Sequence, residues 1–266
     1  MSMSIGCVGC GNMGGAILAG LAASSLDCTL YGHTRTAARM APLEAAGVTR
    51  LDSARELARK ARYVVMAVKP YQIEALLAEM APEFGPDTVV ISVAAGISIA
   101  RLQAAVAGRC PVVRCMPNTP ALVGKGVFAL CFDDKVPAES KKDILRFFSQ
   151  LGVCLELPEF RFTAFSALIG AGPAYVFGMM QGLVQAGVTL GLGRKDCRDM
   201  VAALFEGSAV MAARSDTPLM ELRDQVCSPG GLTIAGVNVL DRAGLSGLLV
   251  DAVLAADERG REMEKE

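Results

Sequence analysis

Short, mainly apolar runs alternate with stretches of helical spacing through the first 160 residues. Residues 4–8, 26–31, 62–68, 88–93, 110–115, 127–131 and 153–157 read as strands. Between them, residues 15–21, 37–46, 53–60, 71–80, 99–107 and 138–150 carry apolar side chains at helix intervals. Strands without a polar face, separated by helices, predict a doubly wound, mainly parallel α/β sheet. Ligands of such sheets sit beyond the carboxyl ends of the strands, which would place the turn at Gly9, Arg35, Lys69, Ala95 and Asn118 along one edge.

Near residue 160 the pattern changes. Residues 163–193 contain no charged side chain, a run long enough to raise the question of a membrane span. Seven glycines, Pro173, Gln181 and Gln185 lie within it, and aromatic-and-basic flanks are missing. The expectation is a soluble helix buried on every side, at a subunit interface or as the spine of a helical domain, and kinked or interrupted at Gly170-Ala171-Gly172-Pro173. Helical patterns follow over 195–213, 219–226, 234–242 and 246–264. This all-helical part holds more apolar surface than a small domain can cover by itself, which predicts dimerisation. The expected division is therefore an N-terminal Rossmann domain, 1–160, and an all-α dimerisation domain, 161–266.

The first strand runs directly into Gly9-Cys10-Gly11-Asn12-Met13-Gly14, a G-x-G-x-x-G string followed by an apolar helix. Strand, glycine turn and helix in that order form the context of a dinucleotide fingerprint. Gly9 permits the tight turn, Gly11 the approach of a pyrophosphate, and Gly14 close packing of helix on strand. After the second strand an NAD enzyme usually presents Asp or Glu. Here Tyr31-Gly32-His33-Thr34-Arg35-Thr36 holds no acid and one arginine. Arg35, with the Thr34 and Thr36 hydroxyls, suits a 2′-phosphate that a carboxylate would repel, so NADPH is favoured, with NADH the other possibility.

Composition narrows the chemistry further. A net charge of −1 shows no basic surplus, so nucleic acid is not an expected partner. Nine cysteines, an odd number set in apolar segments, suit a reducing cytoplasm. Met1-Ser2-Met3-Ser4 has no signal-peptide character, and no membrane association is expected. The single histidine, His33, excludes zinc sites built on several histidines. Cys7-x-x-Cys10 overlaps strand and turn, and reads as a buried strand cysteine and a small turn residue rather than a redox pair. Ser228-Pro229-Gly230-Gly231 fits an ordinary helix start with Ser at the N-cap, and equally a carboxylate site at a positive helix end. Sequence leaves both readings open.

Several strings together resemble the pyrroline-5-carboxylate reductase family over nearly the whole chain. They are Gly9 to Gly14, Ala67-Val68-Lys69-Pro70, Ile91-Ser92-Val93-Ala94-Ala95-Gly96 and the run from Val113 to Ala121. Gly172-Pro173-Ala174-Tyr175-Val176-Phe177, the run from Glu221 to Gly231, and Thr233-Ile234-Ala235-Gly236 continue the series. The resemblance implies NAD(P)H-dependent reduction of 1-pyrroline-5-carboxylate to L-proline by a homodimer, with a decamer of dimers as a larger assembly. It implies cofactor contacts at Val8, Gly9, Cys10, Gly11, Asn12, Met13, Thr34, Arg35, Thr36, Ser53, Ala67, Val68, Lys69, Pro70 and Ala95. Substrate contacts are implied at Asn118, Ser228, Gly230, Gly231, Leu232 and Thr233, with Thr233 orienting the ring nitrogen as the catalytic residue. The chain departs from the family's pattern at Ile169 and Ala171, where serines are usual, and at Tyr71 and Thr34. Alternatives are a reductase of another cyclic imine, a β-hydroxyacid-dehydrogenase-like oxidoreductase, and a dinucleotide-binding protein without turnover. The second alternative needs a lysine that residues 163–193 lack.

Overall fold

The structure of the chain, a computed structural model, describes residues 3–264. Met1 and Ser2, part of the stretch read above as having no signal-peptide character, and the last two residues of the expected C-terminal domain lie outside the described residues. Two compact units are present: residues up to Ala171 together with those from Asp257 onward, and residues Gly172–Ala256.

In the first unit β1 (Met3–Val8) turns into α1 (Asn12–Ala22), followed by β2 (Cys28–His33), α2 (Ala41–Ala45), β3 (Thr49–Arg50) and α3 (Ala54–Lys60). Next come β4 (Tyr63–Met66), α4 (Pro70–Met80), β5 (Val89–Ser92), α5 (Ile99–Ala105) and β6 (Val112–Met116). The sheet is completed by β7 (Gly126–Phe132), α6 (Ala138–Phe148) and β8 (Gly152–Glu156). The order is β3-β2-β1-β4-β5-β6-β7-β8, parallel at every pairing except β6 with β7. The Rossmann-type sheet predicted from the sequence is thus the one observed, and the order in which strands are added reverses between β1 and β4, where such sheets open a crevice.

Alternation along each strand builds two cores. Ile5, Cys7, Tyr63, Val65, Val89, Ile91 and Val113 face one side, against Ile17, Leu18 and Leu21 of α1 and Phe147 and Phe148 of α6. Val8, Val64, Met66, Val90 and Val112 face the other, against Leu57 of α3, Ile73 and Leu77 of α4 and Leu102 of α5. Close packing leaves no room for side chains at some strand positions: a Cβ on Gly6 would stand 2.6 Å from Leu57 Cδ2. Ser53 and Ser98 cap α3 and α5, their hydroxyls accepting from the N–H groups of Glu56 and Arg101.

Two local expectations shift. β2 starts at Cys28 rather than residue 26, because the Leu26 N–H donates to Ser24 Oγ in the preceding turn. The helix predicted over 37–46 divides into a 3₁₀ turn, Ala37–Arg39, and α2, with Pro42 in the first turn of α2. Proline has no N–H to continue a ladder, but is tolerated where a helix restarts.

A short helix α7 (Phe162–Phe165) passes into a π turn, Ser166–Gly170, and Ala171 ends it. The break expected at Gly170-Ala171-Gly172-Pro173 therefore takes the form of a π-helical segment, a common source of kinks. The second unit contains α8 (Gly172–Thr189), α9 (Arg194–Ala213), α10 (Leu219–Gln225) and α11 (Leu232–Arg242), and most of α12 (Leu245–Met263), whose last turns belong to the first unit. Helices α8 and α9 pack through Val184, Cys197 and Val201, the buried hydrophobic residues of this unit. Leu204, Met211, Leu248, Val250 and Leu254 stand exposed. Helices with so little core of their own need another surface to cover them. By length and composition the stretch Glu159–Thr189 could cross a membrane, at a mean hydropathy of 1.4.

Candidate active site

A cleft of about 1090 Å³ opens at the carboxyl ends of β1, β2, β4 and β5 in the first unit. Val8, Gly9, Gly11, Asn12 and Met13 form one wall, and Thr34, Arg35 and Thr36 a second. Ser53, Ala67, Val68, Lys69, Pro70 and Ala95 complete the set expected from sequence.

The glycine turn has a specific backbone shape. Gly9 adopts φ +96°, and a Cβ there would lie 2.8 Å from the carbonyl carbon of Ala67. A Cβ on Gly14 would lie 2.3 Å from the Gly9 carbonyl oxygen. Glycine at both positions is what lets α1 begin directly above β1. Gly11 is the N-cap of α1, with no side-chain cap and no acidic residue in the first turn. The first N–H groups of the helix are therefore directed into the cleft without an internal partner.

Cys10 is the exception among the expected cofactor residues. Its side chain is buried, 2% exposed, beneath the turn, and it does not line the cleft. The thiol approaches the carbonyl oxygens of Cys7 and His33 at 3.8 and 3.7 Å. Contact with Cys10 and burial hold the Cys7 thiol well above its ordinary pKa, so it stays neutral. Both cysteines are free and buried.

Other residues reach the cleft that sequence patterning did not single out for it. His33 lines it, with Nδ1 3.0 Å from the Leu51 carbonyl oxygen. Arg39, Asp52 and Tyr71 line it too, the last 83% exposed. The sequence marks His33 as its single histidine and Tyr71 as a departure from the family's pattern, neither as a cleft residue. Arg39 carried no signal, since its approach depends on the 3₁₀ turn folding back toward α1.

Asn118 stands apart from the cleft. It is buried, its Oδ1 accepts from the Val127 N–H at 2.8 Å, and its Nδ2 donates to the Ile169 carbonyl at 3.3 Å. Both ends of the amide serve as struts inside the first unit. Among the described residues there is no cluster of three or more His, Cys, Asp or Glu that could hold a metal ion.

In the second unit the string 228–233 resolves the question of the cap. The N-cap of α11 is Gly231, not Ser228, and its φ of −80° with ψ of 176° is extended backbone. Ser228 closes a turn before the helix, its carbonyl accepting from the Gly231 N–H at 3.0 Å, and Gly230 takes the left-handed φ of +68° that this turn requires. No side chain caps α11 and its first turn has no acid, so the N–H groups at Leu232 and Thr233 are left for another partner. Leu232 itself is 95% exposed.

Comparisons with known proteins agree with this arrangement. Residues 159–263 match the family model described as pyrroline-5-carboxylate reductase dimerisation, and residues 4–96 the one described as NADP oxidoreductase, coenzyme F420-dependent. The pyrroline-5-carboxylate reductase of Escherichia coli strain K12 is 33% identical over 268 residues, covering 100% of both chains. The structure of the Coxiella burnetii pyrroline-5-carboxylate reductase superposes with a TM-score of 0.90 at 30% identity, covering 99% of each chain. That of the Plasmodium falciparum pyrroline carboxylate reductase, solved with NADP bound, superposes at 0.87 with 31% identity, covering 98% of each. The chain belongs to the pyrroline-5-carboxylate reductase family.

Proposed function

We propose that the chain reduces 1-pyrroline-5-carboxylate to L-proline with NADPH bound in the cleft of the first unit. The observation that carries this reading is the glycine turn at the end of β1, set beside Arg35, in a chain that matches the E. coli reductase along its whole length. A dinucleotide fits the cleft: the volume is ample, and the turn that borders it is built of glycines packed too closely to admit a Cβ. Asn12 and Met13 hold the diphosphate with backbone N–H groups, above Cys10, while Gly9 and Gly11, whose own N–H groups donate to the His33 and Gly9 carbonyls, let it approach by lacking side chains. Thr34, Arg35 and Thr36 hold the 2′-phosphate. Ser53, Val8, Ala67, Val68, Lys69, Pro70 and Ala95 position the remainder. When bound, NADPH supplies the hydride that saturates the imine carbon.

The chain's own work is positioning. A cyclic imine that arrives protonated already carries the charge that attracts hydride, so no strong acid is needed. The backbone N–H groups of Ser228, Gly230 and Leu232 neutralise the substrate carboxylate at the positive end of α11, where Gly231, its own N–H closing the turn on Ser228, leaves room for it. The Thr233 hydroxyl accepts from the ring nitrogen and sets its orientation. Residues 159–263 join two subunits into a homodimer, which covers the apolar helices. The same contact accounts for Glu159–Thr189 in a cytoplasmic protein without a membrane.

Following NADPH and NADH absorbance with 1-pyrroline-5-carboxylate, a larger cyclic imine and a β-hydroxyacid tests the reading. NADPH consumption with 1-pyrroline-5-carboxylate is expected, and no consumption with any imine overturns it. Thr233→Ala should raise the barrier by about 2–3 kcal/mol. An unchanged kcat/KM removes Thr233 from the mechanism.

A further inference from the structure

The 3₁₀ turn Ala37–Arg39 brings a second arginine to the cofactor cleft. Arg39 NH1 lies 2.9 Å from where a Cβ on Gly11 would stand, so the guanidinium rests over the N-cap of α1. This location is electrostatically unfavourable in isolation. A helix N-terminus carries about half a positive charge. The first turn of α1 holds no acid to offset it, and Arg39 makes no ion pair among the described residues. Of the two carboxylates lining the cleft, Glu79 pairs with Arg55 at 3.4 Å, and Asp52 makes no ion pair with Arg39. Arg35 and Lys69 line the same cleft and add to the positive field.

Two unneutralised positive groups facing one volume fit an anion placed between them. We infer that Arg39 is a cofactor-binding residue that closes over the diphosphate bridge of the dinucleotide, opposite the N–H groups of α1. The assignment rests on the reading of the cleft given above and adds a division of labour to it. Arg35, beside Thr34 and Thr36, selects the 2′-phosphate. Arg39, over Gly11, grips the bridge that NADPH and NADH share. Its planar donors can engage two phosphate oxygens at once, which a lysine cannot do.

The test is direct binding of NADP⁺, NAD⁺ and adenosine 2′-monophosphate by titration calorimetry to the wild type, Arg39→Ala and Arg39→Lys. Arg39 is exposed, so neither variant disturbs the core, and matched melting curves verify this. Arg39→Ala should weaken NADP⁺ and NAD⁺ by a similar factor, about tenfold, the loss expected for one charge-assisted contact. Adenosine 2′-monophosphate, which lacks the bridge, should bind as to wild type, and Arg39→Lys should recover part of the loss. Weakening of NADP⁺ and adenosine 2′-monophosphate without NAD⁺ would give Arg39 to the 2′-phosphate and overturn the assignment. Unchanged binding of all three probes also overturns it. Failure of the wild type to bind either dinucleotide overturns the reading of the cleft itself, a result distinct from both.

Discussion

The Gly9 N–H donates to the carbonyl of His33 at 2.8 Å, fastening the glycine turn to the end of β2. This one bond joins the two segments that a dinucleotide must contact together, the diphosphate turn and the loop that reads the 2′ position. Val8 and His33 are paired directly across β1 and β2, so the bond continues the sheet by one step beyond its last register pair.

Gly9→Ala should break this junction. The new Cβ would meet the Ala67 carbonyl in a backbone conformation that L side chains rarely adopt. The strain is about 1–3 kcal/mol, read as a lower melting temperature with loss of NADP⁺ binding. Retained binding with unchanged stability would show that the turn does not need its left-handed shape.

Arg35→Ala separates the two cofactors. The KM for NADPH should rise about tenfold or more, and that for NADH should move little, because only the former carries the 2′-phosphate. A wild-type enzyme that prefers NADH tenfold would contradict the role given to Arg35.

Arg114 anchors the C-terminal end of the chain to the sheet. Its buried guanidinium lies 3.1 Å from Glu159, 3.2 Å from Glu264 and 4.7 Å from the centre of the Phe162 ring. Glu159 also accepts from the Ile99 N–H at 2.7 Å, so removing the arginine leaves two carboxylates facing each other and loosens the start of α5. Arg114→Met should cost about 2–3 kcal/mol, below the figure for a fully buried pair because both glutamates are partly exposed. Urea denaturation measures it, and a change under 0.5 kcal/mol would assign the cluster no part in stability.

Tyr63 predicts a dependence on pH. Burial, and then its hydrogen bond to Asp143 at 2.5 Å, raise the phenol well above its ordinary pKa. The unfolded chain loses this proton near pH 10 while the folded chain keeps it, so stability is fully present below about pH 10 and falls as pH rises further. Tyr63→Phe should lower stability at pH 8 by about 1–2 kcal/mol, through the lost bond. The fall between pH 9 and pH 11 should become shallower than in wild type. Parallel slopes would show that Tyr63 does not titrate differently in the two states.

Local patterns in the sequence determined the alternation of strands and helices, the Rossmann-type sheet, the turn at Gly9, Gly11 and Gly14, the caps at Ser53 and Ser98, and the interruption before Pro173. Each depends on neighbours within one turn or one strand, where periodicity, φ and missing N–H groups act directly. Residues 228–231 were legible as a helix start but not in their cap: Ser228 had the right chemistry, and the turn closing on Gly231 took the position, while the family resemblance added Leu232 and Thr233. Tertiary structure alone decided where side chains at the loops are directed. Cys10 lies within the fingerprint and points inward, because Cys7 and His33 offer it carbonyl oxygens. Asn118 ends as a strut because Val127 and Ile169 use both ends of its amide. Arg39, unremarkable in the sequence, returns to Gly11 because Pro42 divides its helix and turns the preceding segment toward α1. Contacts of this kind join residues distant in the chain, and no local periodicity records them.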